Sequence, residues 1–379
     1  MSSGIYIHVP FCRRRCPYCD FAFVVRKEPP YRRYTDALLR ELQRWPVAPT
    51  ESLYLGGGTP SMLPEIELGR ILSAVPLREQ AVITVEANPE DAALLPGIAG
   101  LGVGRLSLGI QSLQPAHLQA LGRHHSAEQG IAAVECAQAA GFHSISADLI
   151  FGVPGQTVDD LLADARQLID AGVHHVSAYG LTVHDGTPLG KAMRKGTFTP
   201  IPDALEREHF LRLHEFLTAA GFEHYEISSY ARPGHRSYHN ELYWTGASYR
   251  GYGPAAHSFD ATTNRRFWNL RSLDRWLQAM ASPDPSRSPV GGEEFLDGAA
   301  RATERLYLGL RRVEGIAWDD FPALLAPPAA AVLVGMEDHG LIRRDAARLR
   351  LTVEGMAVAD AVVDRLLGVA FVSPDGGAV

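Results

Sequence analysis

Short apolar runs alternate with longer stretches of helical period over the first 225 residues. Ile5–Val9, Ser52–Leu55, Ala81–Val85, Arg105–Gly109, Phe142–Leu149 and Val173–Tyr179 are brief and apolar, the signature of strands covered on both faces. Between them, Tyr31–Trp45 places Tyr34, Leu38, Leu42 and Trp45 on one helical face. Pro64–Val75, Pro89–Ala99, Ala127–Ala140, Val158–Ala171 and Asp203–Ala220 read as further helices, the last three running into Gly141, Gly172 and Gly221 as C-terminal caps. Six strand–helix units in succession predict an α/β fold with a parallel sheet and helices outside it. A βα-barrel and an open doubly wound sheet both fit, because periodicity does not show closure.

The pattern changes after residue 225. Residues 226–282 are rich in Tyr, His, Gly, Asn and Trp with little periodicity, and read as an aromatic, histidine-rich loop region. Ser282–Pro289 has a linker's composition. Residues 290–371 return to helical spacing around an alternating stretch at 340–352, which predicts a small, mainly helical, winged-helix-like domain whose last helix covers Val353–Leu367. The tail 372–379 reads as frayed.

Composition narrows the classes. At 46% hydrophobic and 21% charged the chain is globular, and 36 Lys and Arg against 43 Asp and Glu, net −7, argue against a nucleic-acid binder. No run of 18 apolar residues predicts a membrane span, and the opening MSSGIYIHVPF lacks the pattern of a signal peptide, so the cytoplasm is the expected compartment. Nothing in the sequence sets an oligomeric state.

Of four cysteines, Cys12, Cys16 and Cys19 fall within eight residues on the loop after the first strand, and Cys136 stands apart in a helix. Three thiolates on one short loop suit three irons of a [4Fe–4S] cube, leaving the fourth iron open. A zinc site of three cysteines with His8 is the alternative. Downstream, Gly56–Pro60 follows the second strand, Glu86 ends the third, Gln111 the fourth and Asp148 the fifth, with Arg123 between. In a βα-barrel these ends form the active-site face.

The CxxxCxxC loop, with Tyr18 before its third cysteine, resembles the radical S-adenosylmethionine (SAM) superfamily. That resemblance implies a partial (β/α)6-type barrel and a [4Fe–4S] cluster on Cys12, Cys16 and Cys19, whose open iron is chelated by SAM. The reduced cluster of that superfamily cleaves the SAM sulfonium. It further implies that Gly57, Gly58 and Thr59 receive the SAM amino group, and that Tyr6, Tyr18, Glu86, Gln111, Arg123 and Asp148 hold the rest of SAM, a second SAM or a substrate. The stretches IYIHVPFC, CPYCDF, GGGTPS, VEANPE, SLGIQS and DLIFGVPGQT are similar to the coproporphyrinogen-oxidase-like branch over nearly the whole chain.

That branch holds the oxygen-independent coproporphyrinogen III dehydrogenase and the HemW-type haem chaperones. The dehydrogenase carries a fourth cysteine two residues past the third, where this chain has Phe21, and a long extension before the cluster, where this chain has 11 residues before Cys12. Residues 239–244, HNELYW, match the HNxxYW motif of the chaperones. The resemblance therefore implies a haem carrier with His239, Tyr243 and Trp244 at the haem and an acceptor protein of unspecified identity. The dehydrogenase is the alternative, and whether SAM is cleaved stays open.

Overall fold

A computed structural model describes residues 4–370 except 283, 285, 286 and 326. The tail 372–379 and three linker positions thus lie outside the described residues. Strands β1 (Gly4–Val9), β2 (Thr50–Gly57), β3 (Leu77–Ala87), β4 (Arg105–Gln111), β5 (Ser144–Phe151) and β6 (His175–Gly180) lie side by side in chain order, all parallel. Each crossover carries helix: α1 (Tyr31–Arg44), α2 (Glu65–Ala74), α3 (Leu95–Gly100), α4 (Pro115–Ala120), α5 (Ala127–Ala139) and α6 (Val158–Asp170). Short α7 (Pro188–Arg194) and long α8 (Asp203–Ala219) follow β6. Segment 89–99, expected as one helix, is a 3₁₀ turn Pro89–Leu94 leading into α3, because Pro96 lacks the N–H that a continuous helix would use.

Packing follows the sequence pattern. Ile5, Ile7 and Val9 of β1 are fully buried, as are Leu53 and Leu55 of β2. On α1, Tyr34 and Leu38 are also fully buried, one turn apart on the face against the sheet. Burial of each such side chain is worth about 1.5–3 kcal/mol.

The barrel is partial. After β7 (Glu223–Glu226), β8 (Ser229–Ala231) pairs antiparallel with β6, while β9 (Tyr249–Tyr252) pairs parallel with β1. Both edges of the six-stranded array are therefore occupied by other strands and do not meet. β10 (His257–Asp260), β11 (Arg265–Asn269) and β12 (Val290–Phe295) continue the sheet beyond β9. Segment 226–282, expected as a loop region, thus holds β8–β11 together with α9 (Tyr238–Trp244) and α10 (Leu273–Ala281). Its strands are three to five residues long and carry Gly and Arg, too short and too polar for periodicity to reveal.

The C-terminal region is mainly helical: α11 (Gly298–Leu310), α12 (Pro327–Asp338), α13 (Val353–Met356) and, after a break at residues 357–358, α14 (Ala359–Ala370). The last helix expected from the sequence is these last two. They accompany a three-stranded antiparallel sheet of β13 (Ile316–Ala317), β15 (Arg348–Leu351) and β14 (Ile342–Arg344), in that order. Among the described residues no helix is long and apolar enough to cross a membrane.

Candidate functional site

The C-terminal ends of the parallel strands surround a cavity of about 400 Å³. Cys12, Cys16 and Cys19 reach it from the loop after β1; Gly57, Gly58 and Thr59 from the turn after β2; Glu86 and Gln111 from β3 and β4; Asp148 from β5. Tyr18 and Arg123 complete the set. Eleven of the residues singled out from the sequence therefore meet in one place. The glycines are there for space: Gly57 has φ +108°, and a Cβ on it would sit 2.4 Å from the His8 ring. At Gly58 a Cβ would lie 2.5 Å from the Phe11 carbonyl oxygen. Gly58 N–H donates to Val9 O at 2.8 Å and Thr59 N–H to Phe11 O at 2.7 Å, so the glycine turn is pinned to the start of the cysteine loop. Gln111 holds φ +69°, a left-handed conformation unusual for a residue with a side chain.

The cysteine loop is closed at its neck by Val24 N–H donating to Pro10 O and Cys12 N–H donating to Val24 O. The Thr59 hydroxyl donates to Cys12 Sγ at 3.7 Å, and Arg123 Nη1 lies 3.9 Å from Cys16 Sγ. Burial pushes the Cys12 thiol up to about 12 and Cys19 upward as well, so both hold their protons unless a cation displaces them. Among the described residues no three His, Cys, Asp or Glu side chains converge as they would around one ion; thiolates that each ligate a different iron of a cube have no such common point. The donor set of three thiols beside a glycine turn fits a cluster. His8 does not fit as a zinc ligand: Nε2 bonds Ala22 O at 2.6 Å and Nδ1 the Tyr6 hydroxyl at 3.1 Å. Cys136, half-buried in α5, donates to Ala92 O.

The cavity also holds the carboxyl groups of Glu86 and Asp148. The Tyr54 hydroxyl donates to Glu86 Oε1 at 2.8 Å and Gly57 N–H to Oε2 at 3.0 Å. Burial still raises Glu86 to about 7, with the Asp148 charge adding to it. Asp148 is raised to about 6 by burial, against the pull of the Ser177 and Ser107 hydroxyls. These carboxylates can accept from hydroxyl or ammonium groups of a ligand. Arg123 is a cation of the wall, with Nη2 donating to Asn88 Oδ1 at 2.6 Å and Gly109 O at 2.7 Å.

Several cavity residues were not singled out beforehand: Arg105 and Ser107 on β4, Ser146 on β5, His175, Ser177 and Tyr179 on β6. Their signal is in the sequence as polar residues two apart inside apolar strands, the alternation of one strand face. Asn240 and Ser237 also line the cavity from α9 and its cap.

Four expected site residues do not line it. Tyr6 lies behind Tyr54, its ring 6.2 Å away at 27°. His239 is 2% exposed, with Nδ1 2.8 Å from Ser52 Oγ and Nε2 2.9 Å from the Tyr243 hydroxyl, and burial pushes it down to about 3. An iron ligand needs a free ring lone pair facing open space, and His239 offers neither in this arrangement. Tyr243 stands edge-on to Tyr249, and Trp244 packs under the Arg311 guanidinium at 4.5 Å. These three side chains do not form an open macrocycle cradle.

The radical SAM superfamily model matches residues 6–168, and the HemN C-terminal domain model residues 296–358. The heme chaperone HemW of Mycobacterium tuberculosis is 38% identical over 380 residues, covering 96% of this chain and 95% of the relative. The heme chaperone HemW of Escherichia coli K12 is 37% identical over 331 residues, covering 81% and 86%. The mitochondrial radical S-adenosyl methionine domain-containing protein 1 of Bos taurus is 33% identical, covering 96% and 87%. Among solved structures, coproporphyrinogen III oxidase (HemN) from Escherichia coli superposes with a TM-score of 0.81 at 19% identity, covering 96% of this chain and 90% of that one. That last likeness concerns the fold.

Proposed function

Since the chain belongs to the HemW family of heme chaperones within the radical SAM superfamily, we propose that it binds a [4Fe–4S] cluster, SAM and haem and passes haem to an acceptor protein in the cytoplasm. Cys12, Cys16 and Cys19 hold the cluster. The backbone at Gly57, Gly58 and Thr59 takes the SAM amino group. Glu86, Gln111 and Asp148, with Tyr18 closing over them, hold the ribose side, and Arg123 pairs with the carboxylate. When bound, the cluster supplies an electron for cleaving SAM. The protein's own part is to keep both ligands oriented in a polar pocket whose donors are fixed beforehand.

The observation that carries a chaperone over a dehydrogenase is Phe21. It stands two residues after Cys19, at the cavity rim, 63% exposed. A thiol at that position would be at hand for chemistry; an apolar ring in water is instead suited to meeting an apolar partner. Haem is cargo here, and ligating it through His239 with Tyr243 and Trp244 would require the His239 ring to give up its bond to Ser52 or to Tyr243 first.

One sample tests the reading. After anaerobic reconstitution, iron and sulfide are counted, haem is titrated, and coproporphyrinogen III is supplied with SAM and a low-potential reductant. The expected result is four irons per chain to within the accuracy of the assay, roughly a cube, stoichiometric haem binding and no protoporphyrinogen IX. Sustained formation of protoporphyrinogen IX would replace the chaperone with the dehydrogenase.

A further inference from the structure

The histidine of the HNxxYW motif is buried beside Gly4 and Ser52, at the starts of β1 and β2, rather than beside open space. Its ring lies 5.2 Å from that of Tyr54 and 6.4 Å from that of Tyr6. Ser52, which bonds its Nδ1, is on β2 two residues before Tyr54, and Tyr243, which bonds its Nε2, is one turn along α9. Gly4 makes room for it: a Cβ there would meet His239 Cε1 at 3.0 Å and Leu242 Cδ1 at 2.6 Å. From the far side of Tyr54 the path continues into the cavity, where its hydroxyl holds Glu86 Oε1 and Gly57 N–H holds Oε2.

A neutral imidazole suits this place. Both its partners are hydroxyls, each able to donate or accept, so either tautomer is satisfied. Packed against the Tyr54 ring, His239 restricts where the Tyr54 hydroxyl points, and that hydroxyl is one of the two donors that orient the Glu86 carboxylate. We propose that His239 is a positioning residue of the SAM pocket, seating Tyr54 so that Glu86 is held against the Gly57 turn, and is not an axial ligand of haem. This rests on the reading that the cavity takes SAM.

The test separates the two roles by readout. Reconstituted wild type, His239→Ala, His239→Gln, Tyr243→Phe and Tyr54→Phe are compared for SAM affinity by equilibrium binding and for the Soret band after haem titration. Removing a hydrogen bond to a carboxylate is worth about tenfold in binding, so Tyr54→Phe should weaken SAM by about that factor while leaving the haem spectrum alone. His239→Ala should lose SAM affinity to a similar degree with an unmoved Soret maximum, and His239→Gln should recover part of it. Because His239 and Tyr54 act in one line, the double variant should be little worse than either alone. If His239→Ala does not fold, Tyr54→Phe and Tyr243→Phe decide. A displaced Soret maximum in His239→Ala or His239→Gln, or intact SAM affinity in Tyr54→Phe, would overturn the assignment. Should wild type bind no haem, the carrier reading fails by itself and the SAM measurements still judge this one.

Discussion

Arg123 and Cys16 meet at the lining of the cavity, Nη1 3.9 Å from Sγ, while the other terminal nitrogen of the same guanidinium is tied to Asn88 and Gly109. A cation fixed in that way is a permanent positive charge beside a thiolate. It favours the more negative state of any cluster on that sulfur, because cluster potential follows local charge and hydrogen bonding. Arg123→Gln should therefore leave iron and sulfide content unchanged, shift the cluster's midpoint to more negative values, and weaken SAM about tenfold through loss of a charged hydrogen bond. A redox titration followed by electron paramagnetic resonance reads the first effect. An unmoved midpoint would mean that the cluster does not feel the guanidinium.

The cysteines should divide cleanly. Cys16 reaches the cavity with Cys12 and Cys19, whereas Cys136 is half-buried on α5 and bonded to Ala92 O. Replacing Cys16 by Ser should abolish the visible absorbance gained on reconstitution. Cys136→Ser should keep that absorbance and cost little stability, since a free half-buried Cys behaves as a small apolar residue. Equal loss in both variants would remove the basis for assigning the cluster to the N-terminal loop.

Glu86 gives the ligand-free protein a pH dependence. Its carboxyl is raised from 4.5 to about 7, chiefly by burial. The folded state thus binds the proton more tightly than the unfolded state. Its stabilising effect is full below pH 4.5 and is lost as pH rises to about 7, amounting to about 3 kcal/mol at most. Other groups titrate too: burial lowers His8 and His224 to about 4, and those residues favour the fold at higher pH. The difference between wild type and Glu86→Gln isolates the carboxyl. Urea midpoints should show the variant gaining on wild type between pH 5 and pH 7 and holding that gain above it. A difference flat with pH would mean that Glu86 is ionised at its ordinary value.

Much of this was legible in the sequence, for reasons that differ from residue to residue. The six parallel strands announce themselves because both their faces are covered, so apolar runs such as Ile5–Val9 stand out, and the glycines after α5, α6 and α8 mark helix ends. The cysteine spacing and the polar strand ends point to one rim because chain order alone fixes their neighbourhood. His239 is different. A histidine in a short motif looks the same whether its ring nitrogens are free or bonded, and only the fold brings Ser52 within 2.8 Å across 187 residues. Tyr6 is expected at the site through the resemblance alone; its ring stacks on that of Tyr54, and Tyr54 is the one of the two that lines the cavity. The strands at 249–269 escape notice because each is held by pairing to a neighbour rather than by its own pattern.

Gly57 offers the sharpest test of how the glycine turn and the cysteine loop are joined. Its φ of +108° is costly for any residue with a side chain, and a Cβ would overlap the His8 ring at 2.4 Å. The ring has little freedom to retreat, since it is 5% exposed and bonded at both nitrogens, through Nε2 to Ala22 on the cysteine loop. Gly57→Ala must therefore either push His8 off Ala22 or twist the turn and break the Gly57 N–H bond to Glu86. The first loosens the loop that carries the thiols, and the second misdirects the carboxylate. Backbone strain and overpacking together should cost on the order of 2–4 kcal/mol. Gly104→Ala is the matched control, because a Cβ there meets nothing within 4 Å and φ is not positive. Urea denaturation and cluster retention under chelator should both drop for Gly57→Ala and hold for Gly104→Ala. If Gly57→Ala matched wild type in both, His8 would have to move freely, and the bond to Ala22 would not be what holds the cysteine loop to the barrel.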